Sequence, residues 1–195
     1  MKKFILILGM VIVCCSNSEV KKTIVVGYEP TAALPSDQKL LQAAHKGDLA
    51  GVQAALAAGA NVNATSERGQ TALMLAAPGG YTEIARVLIE AKANVNAHDG
   101  DGTTALMIAT NFINTVEMVK LLIKAKANVN ARTKGEGVTA LMLASANGFE
   151  EIVTLLLKAK ANVNARDKSN GTALSHAHHY LYRIGPILKA AGAKY

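Results

Sequence analysis

The side chains of this 195-residue chain that could hold a metal ion cluster near its carboxyl end. His176, His178 and His179 lie close together, and His176 and His179 would share one face of a helix because they are three positions apart. Imidazole binds Zn²⁺ and Cu²⁺, but a protein site needs at least a third ligand. The neighbouring sequence offers no carboxylate or cysteine, so we expect partly exposed histidines without a metal. A metal-binding or small-molecule-binding envelope protein that uses this cluster is the alternative function.

Three methionines recur at equivalent positions and could form a thioether ladder for copper: Met74, Met107 and Met142. No histidine or cysteine recurs with them, and each is predicted to lie inside a helix, so apolar packing is the preferred interpretation. No nucleophile–base pair, phosphate-binding glycine loop or metal-ligand spacing rises above chance. We therefore predict no catalytic residue, no cofactor, no metal and no enzyme activity.

Cysteine chemistry is confined to the amino-terminal segment. Lys2 and Lys3 precede an apolar run over residues 4–13, and Cys14 and Cys15 follow it. A positive end, a short apolar run and small residues are typical of an export signal, here predicted over residues 1–18. The apolar run is too short to span a bilayer as a helix. Because both cysteines of the chain lie in this segment, the rest of the chain cannot form an internal disulfide.

The cysteine at the end of this run resembles that of the lipobox of bacterial lipoproteins, where it becomes the lipidated first residue. Cys15 is the preferred lipidation site, because Cys14 supplies the small residue wanted just before it. Lipidation of Cys14, ordinary cleavage near Ser18 and an uncleaved anchor remain alternatives. The resemblance implies a protein exported to the cell envelope, either periplasmic or anchored to a membrane by its lipid.

Beyond a linker predicted over residues 19–35, which contain two prolines and no helical period, the chain repeats itself to its end. The run Ala-Lys-Ala-Asn-Val-Asn-Ala occupies residues 91–97 and returns at 125–131 and 159–165, with a close relative at 58–64. A second motif, Thr-Ala-Leu, recurs between these runs. Self-similarity at a spacing of about 34 residues indicates a stacked array, in which each repeat buries its apolar face against its neighbours.

Each repeat predicts two helices. In the second repeat the first helix is predicted to run from Thr71, whose hydroxyl can cap it, to about Ala77. The second helix carries an apolar stripe at the spacing of a buried face, formed in successive repeats by Ile84, Val87 and Leu88, by Met118, Leu121 and Leu122, and by Ile152, Leu155 and Leu156. The leucines of the Thr-Ala-Leu motif are also expected to be buried: Leu73, Leu106, Leu141 and Leu174.

With these motifs, residues 36–195 resemble the ankyrin-repeat family. The family's repeat is a β-turn finger followed by two helices, with Thr-Pro-Leu-His at the start of the first helix and Gly-Ala-Asp-Val-Asn after the second. This chain has Thr-Ala-Leu-Met and Lys-Ala-Asn-Val-Asn at those places. The resemblance implies an all-α solenoid of about five helix-turn-helix repeats, near residues 36–68, 69–101, 102–136, 137–170 and 171–195. It also implies a monomeric, non-catalytic module that binds another protein.

Lysine stands at three of the places where glycine normally ends the second helix of a repeat: Lys92, Lys126 and Lys160. Gly59 and Gly192 keep the glycine. A lysine at positive φ costs about 1 kcal/mol, so we expect the helix to end differently at these lysines. Together with Lys124 and Lys158 they would form a basic ridge, for which a solvated face is the preferred interpretation and an acidic partner or an anionic membrane the alternative. The formal charge of +7 does not by itself predict binding of nucleic acid.

The positions that vary between repeats are expected to recognise the partner, namely the finger tips and the inner-helix ends on the concave side. The predicted partner-binding residues are Glu67, Arg68, Asp99, Asp101, Asn111, Phe112, Lys134, Glu136, Asn147 and Lys168. Phe112 lies in a turn that is one residue longer than its counterparts. A large apolar side chain there is a candidate anchor for a partner, and the alternative is that it packs with Ile113 into the turn.

Overall fold

The computed structural model describes residues 4–7, 10–13 and 35–194, and describes side chains in the last of these ranges. Two strands within the predicted export signal, β1 (Phe4–Ile7) and β2 (Met10–Val13), pair antiparallel. The described helices lie in a separate unit, residues 35–195. None of them combines the length and the apolar character needed to cross a bilayer. The predicted lipidation site Cys15 and residues 19–34 of the predicted linker lie outside the described ranges.

The described part of residues 35–195 forms five successive helix pairs, which confirms the predicted all-α solenoid. A short 3₁₀ turn, His178–Tyr180, precedes the last helix. The pairs are α1 (Ser36–Lys46) with α2 (Leu49–Ala57), α3 (Ala72–Ala76) with α4 (Thr82–Glu90), α5 (Ala105–Ala109) with α6 (Val116–Lys124), α7 (Ala140–Ala146) with α8 (Glu150–Lys158), and α9 (Ala173–His176) with α10 (Leu181–Ala190).

A threonine hydroxyl caps the amino-terminal end of the first helix in each of the last four repeats, as the motif predicts. Thr71 Oγ1 accepts a hydrogen bond from the Met74 N–H at 3.4 Å, and the later repeats copy this bond. The last repeat adds a reciprocal bond, in which the Thr172 N–H donates to Ser175 Oγ at 2.8 Å. These caps let helices as short as four or five residues start at a fixed place in every repeat.

The helices stack in two rows, and the core lies between the rows. The first helices α1, α3, α5, α7 and α9 pack on one another in order, and the second helices α2, α4, α6, α8 and α10 form the other row. All four motif leucines are buried, as expected, and so are the three recurrent methionines: Leu73, Leu106, Leu141, Leu174, Met74, Met107 and Met142. Apolar packing therefore accounts for the methionine ladder.

The buried face of the second helices is broader than the predicted stripe. Val87, Leu121 and Leu155 are only partly buried, whereas the residues two positions earlier are fully buried: Ala85, Val119 and Val153. The predicted stripe therefore omits one buried position of each helix. That position is buried because each second helix packs against its own first helix and also against the second helix of the next repeat.

The second asparagine of each Asn-Val-Asn motif joins one repeat to the next. Asn130 Oδ1 accepts a hydrogen bond from the Asn162 N–H at 2.7 Å, and Asn130 Nδ2 donates to the Lys160 carbonyl at 3.3 Å. Its own N–H is held by Asn128 Oδ1 at 3.0 Å. Asn63, Asn96 and Asn164 accept an N–H from the next repeat in the same way. The amides of Asn96 and Asn164 also donate, to the Lys126 and Gly192 carbonyls. We call these residues the asparagine ladder.

The three lysines at helix ends adopt the left-handed conformation, so the expectation of a different ending is wrong. Their φ values are 69° at Lys92, 67° at Lys126 and 66° at Lys160. At the first of them, the Lys92 N–H donates to Ile89 O at 3.0 Å and the Ala93 N–H donates to Leu88 O at 2.9 Å. The N–H groups of Lys92 and Ala93 reach back to these two carbonyls only when Lys92 is left-handed. The hydrogen bonds at the helix end therefore hold lysine in the conformation that glycine prefers.

We predict that Asn130→Ala lowers the free energy of unfolding by about 1–2 kcal/mol, because two hydrogen bonds between repeats are lost. Asn130→Asp should cost less, since its carboxylate still accepts from the Asn162 N–H while no longer donating to the Lys160 carbonyl. Urea denaturation measures both, with Ser169→Ala at an exposed finger tip as the control. Equal stability of Asn130→Ala and the control would contradict a role for the ladder.

Candidate partner-binding surface

The predicted finger tips form one continuous row, because each is bonded to its neighbour through the backbone. The Gly100 N–H donates to Arg68 O at 3.4 Å, the Lys134 N–H to Asp101 O at 2.8 Å, and the Lys168 N–H to Glu136 O at 2.8 Å. Main-chain bonds do not depend on side-chain identity. The tips can therefore carry different side chains on a constant frame.

The predicted tip residues fall into two groups according to what their side chains contact. Five are exposed and make no side-chain hydrogen bond or ion pair with described residues: Glu67, Arg68, Asp101, Lys134 and Glu136. The other two are used within the array. Asp99 Oδ1 accepts from the N–H groups of Asp101 and Thr103 at 3.0 and 2.9 Å, and Lys168 Nζ donates to Lys134 O at 2.9 Å.

The inner-helix ends of the third and fourth repeats are joined by polar bonds. Asn147 Nδ2 donates to Asn111 Oδ1 at 3.1 Å and to Thr110 O at 3.3 Å. Three predicted site residues, Asn111, Phe112 and Asn147, thus lie at one place on the array. Each first helix begins next to a finger and ends at the turn to the second helix. These three residues therefore lie at the end of the first helices that is far from the fingers.

Phe112 is exposed over 42% of its surface and its neighbour Ile113 over 74%. The alternative in which both side chains pack into the inserted turn does not hold for Ile113, whereas Phe112 is partly covered and partly exposed. The turn is anchored by the buried Thr115 hydroxyl, whose single O–H faces two carbonyl oxygens, Ala109 O at 2.6 Å and Phe112 O at 2.8 Å from Oγ1. The phenyl ring takes no part in these hydrogen bonds, and its exposed part remains available at the surface.

The supporting threonines were not identified from the sequence. Thr110 and Thr115 are both fully buried, and the Thr110 hydroxyl donates to Met107 O at 2.7 Å. Hydroxyl residues on both sides of an inserted loop, at the end of one helix and the start of the next, are the signal that could have revealed them.

The histidine cluster is divided by the structure. His176 Nε2 lies 2.7 Å from Asp167 Oδ2, whereas the rings of His178 and His179 are 3.8 Å apart at their centroids. The expectation that no carboxylate is available was wrong, because the finger folds back and brings Asp167 to the helix. Within the described part of the chain, no three His, Cys, Asp or Glu side chains are grouped so that they could hold a metal ion.

The side chain of Asp167 is 7% exposed and is held from two sides. His176 and the Gly171 N–H, whose nitrogen lies 2.7 Å from Asp167 Oδ1, keep the pKa of Asp167 below its ordinary value of 3.8. A carboxyl whose pKa is lower in the folded state stabilises the fold above its unfolded pKa. This contribution disappears as the pH falls through the folded pKa.

We predict that Asp167→Asn reduces stability at neutral pH and that its difference from the parent chain shrinks on acidification below about pH 4, since protonation removes the same charge. Urea denaturation at a series of pH values measures this. Asp101→Asn, at an exposed tip with no side-chain partner, is the control. A difference that stays constant down to about pH 2 would contradict the role of the Asp167 charge.

Comparison with known proteins agrees with this geometry. The family model described as Ankyrin repeats (3 copies) matches residues 40–133 and again residues 112–189, which together cover more than three quarters of the chain. No curated protein matches the chain significantly. The matched range includes all the partner-binding residues considered above, from Glu67 to Lys168. The chain belongs to the ankyrin-repeat family.

Proposed function

We propose that this chain is a scaffold that binds a protein partner through its finger tips and its concave inner-helix face. Ankyrin repeats are generally protein–protein interaction modules, and their fold is typically non-catalytic. The observation that carries the assignment to this surface is the exposure of Phe112 on a turn that is anchored by the buried Thr115 hydroxyl.

An exposed aromatic ring on a rigid support is suited to be the central anchor of an interface. Aromatic residues dominate binding energy where they fill a pocket on the partner, and polar neighbours exclude water around them. Asn111 and Asn147 provide such neighbours, since their side chains are bonded to each other. A partner would therefore meet an apolar anchor with a polar surround.

The tips add charge of both signs to this surface. Acidic and basic side chains alternate along a row that backbone hydrogen bonds fix, in the order Glu67, Arg68, Asp101, Lys134 and Glu136. Mixed charges of this kind contribute more to the choice and register of a partner than to affinity. Because the row is already ordered before binding, association has little conformational entropy to lose.

We expect Phe112→Ala to weaken binding of a partner by about 30-fold, as for a central aromatic anchor. Joint replacement of Phe112, Lys134 and Glu136 should abolish capture. Partners are captured by crosslinking from the native envelope, and the affinity of the purified partner is then measured for each variant.

Tyr182→Ala is the matched control, since this aromatic side chain is 77% exposed but lies in the last repeat. Each variant should melt with the parent, because the backbone bonds of the tips and of the turn do not involve the replaced side chains. Unchanged capture by the triple variant would show that the partner binds another face.

The site of action proposed for this scaffold is the bacterial cell envelope, with a lipid on Cys15 as the anchor. The supporting observation is the sequence of the leader, with its positive end, short apolar run and terminal cysteines. An acyl chain inserted in a membrane gains about 0.8 kcal/mol per buried methylene. Such an anchor would hold the array at a membrane surface while the concave face binds its partner.

Radiolabelled palmitate should be incorporated into the parent chain and into Cys14→Ala, and should be absent from Cys15→Ala. The reason is that a lipoprotein signal modifies one cysteine, which becomes the first residue of the mature chain. Gel autoradiography after expression in a bacterium with lipoprotein processing measures this. Label that persists in Cys15→Ala, or its absence from the parent chain, would contradict the proposed anchor.

A further inference from the structure

A row of five exposed lysines follows the carboxyl ends of the second helices in the three middle repeats. We call it the lysine ridge, and its members are Lys92, Lys124, Lys126, Lys158 and Lys160. No acidic side chain of the described residues lies within ion-pair distance of any of them. Glu90 is the acidic residue at the equivalent place in the second repeat, so the ridge is most strongly positive over the third and fourth repeats.

The fold does not require lysine at the left-handed positions of the ridge. The first and last repeats use Gly59 and Gly192 there, with φ of 82° and 89°. A Cβ built on either glycine meets no atom within 4 Å, so the place opens to solvent. Glycine adopts this conformation without strain, whereas Lys92, Lys126 and Lys160 adopt it at a conformational cost. Strain repeated three times for an exposed side chain indicates a role outside folding.

The ridge is rigid at its base and mobile at its tips. The Lys126 and Lys160 carbonyls accept hydrogen bonds from Asn96 and Asn130 of the preceding repeats, both at 3.3 Å. These bonds fix the backbone of successive lysines at the spacing of stacked helices, about 10 Å. Beyond the backbone, each ammonium group moves on a flexible stem. The result is a line of positive charges that continues from one repeat to the next.

The ridge lies at the opposite end of the helix pairs from Phe112. The chain leaves α5 through the turn that carries Phe112, runs back along α6 and reaches Lys124 and Lys126 at its end. A body that contacts the ridge therefore leaves the Phe112 turn uncovered. The two surfaces can be occupied together.

We propose that the lysine ridge is an electrostatic docking surface for an anionic lipid bilayer. The residues next to the three left-handed lysines in the chain are all alanines, in the sequence Ala-Lys-Ala, so this part of the chain offers neither an aromatic anchor nor an arginine fork with which to recognise a shaped partner. Lysine ammonium groups attract anionic headgroups as point charges, without a defined bonding geometry. A planar array of lipid charges matches a line of flexible cations, whereas an acidic protein would need complementary contacts that this row lacks.

The expected strength is moderate and depends on salt. Each lysine near an anionic surface strengthens binding about five-fold, so the ridge as a whole is sufficient to hold the array on a membrane weakly. The interaction acts over about 10 Å at about 0.1 M salt and is screened further as salt rises. It does not depend on the proposed lipid at Cys15 or on the proposed protein partner.

The test is flotation of the full chain, carrying Cys15→Ser, with vesicles of phosphatidylcholine containing about 30 mol% phosphatidylglycerol. Combined replacement Lys92→Gly, Lys126→Gly and Lys160→Gly should weaken vesicle binding about 100-fold and leave the melting temperature equal to or above that of the parent. Since glycine suits the left-handed backbone, loss of binding cannot be attributed to unfolding. Arginine at the same three places should preserve binding.

The control removes three positive charges elsewhere, through Lys39→Gln, Lys46→Gln and Arg86→Gln, and should bind vesicles more tightly than the glycine variant at about 0.05 M salt. Parent binding should be lost on pure phosphatidylcholine and at about 0.5 M salt. Equal binding by the glycine variant and the parent would overturn the proposal. Tighter binding of the parent to soluble polyglutamate than to the anionic vesicles would overturn it in favour of an acidic protein.

Discussion

The structure depends on a hydrogen bond between an asparagine side chain and the backbone of the next repeat. A single ankyrin hairpin has too small a core to bury its own apolar face, so each one must meet its neighbour in register. Asn63, Asn96 and Asn130 set that register by accepting an N–H from the following repeat at 2.7 Å. These bonds lie at the exposed edge of the array, where each contributes modestly, but they recur at every junction.

The same junction helps to hold two of the three helix-end lysines, Lys126 and Lys160, in the left-handed conformation. The carbonyl of Lys126 or Lys160 is the acceptor for the asparagine amide, and the N–H of the same lysine closes the helix. With both polar groups committed, the backbone cannot relax to a conformation that suits lysine better. The constraint from the stack therefore outweighs the local preference, and the side chain is directed into solvent.

The array can recognise a partner because hydrogen bonds of the backbone and of buried side chains hold its fold, while exposed side chains are left to make contacts. Backbone bonds hold the finger tips together, and buried threonine hydroxyls hold the inserted turn of the third repeat. The side chains of Glu67, Lys134 and Phe112 make no hydrogen bond or ion pair with the described residues, although each lies on a finger or turn that these bonds hold. Variation at such places changes what is bound without changing the fold.

The sequence by itself determined the architecture, because a motif repeated about every 34 residues places Leu73 and its equivalents, the capping threonines and the apolar helix faces in the same setting each time. It could not decide contacts between segments that are distant in the chain. The Asp167–His176 pair, the exposure of Phe112 and the left-handed lysines all depend on how a finger, a turn or a helix end meets the adjacent element. Periodicity gives the position of a residue within its repeat, whereas stacking decides which polar groups are already satisfied and which side chains are left for a partner.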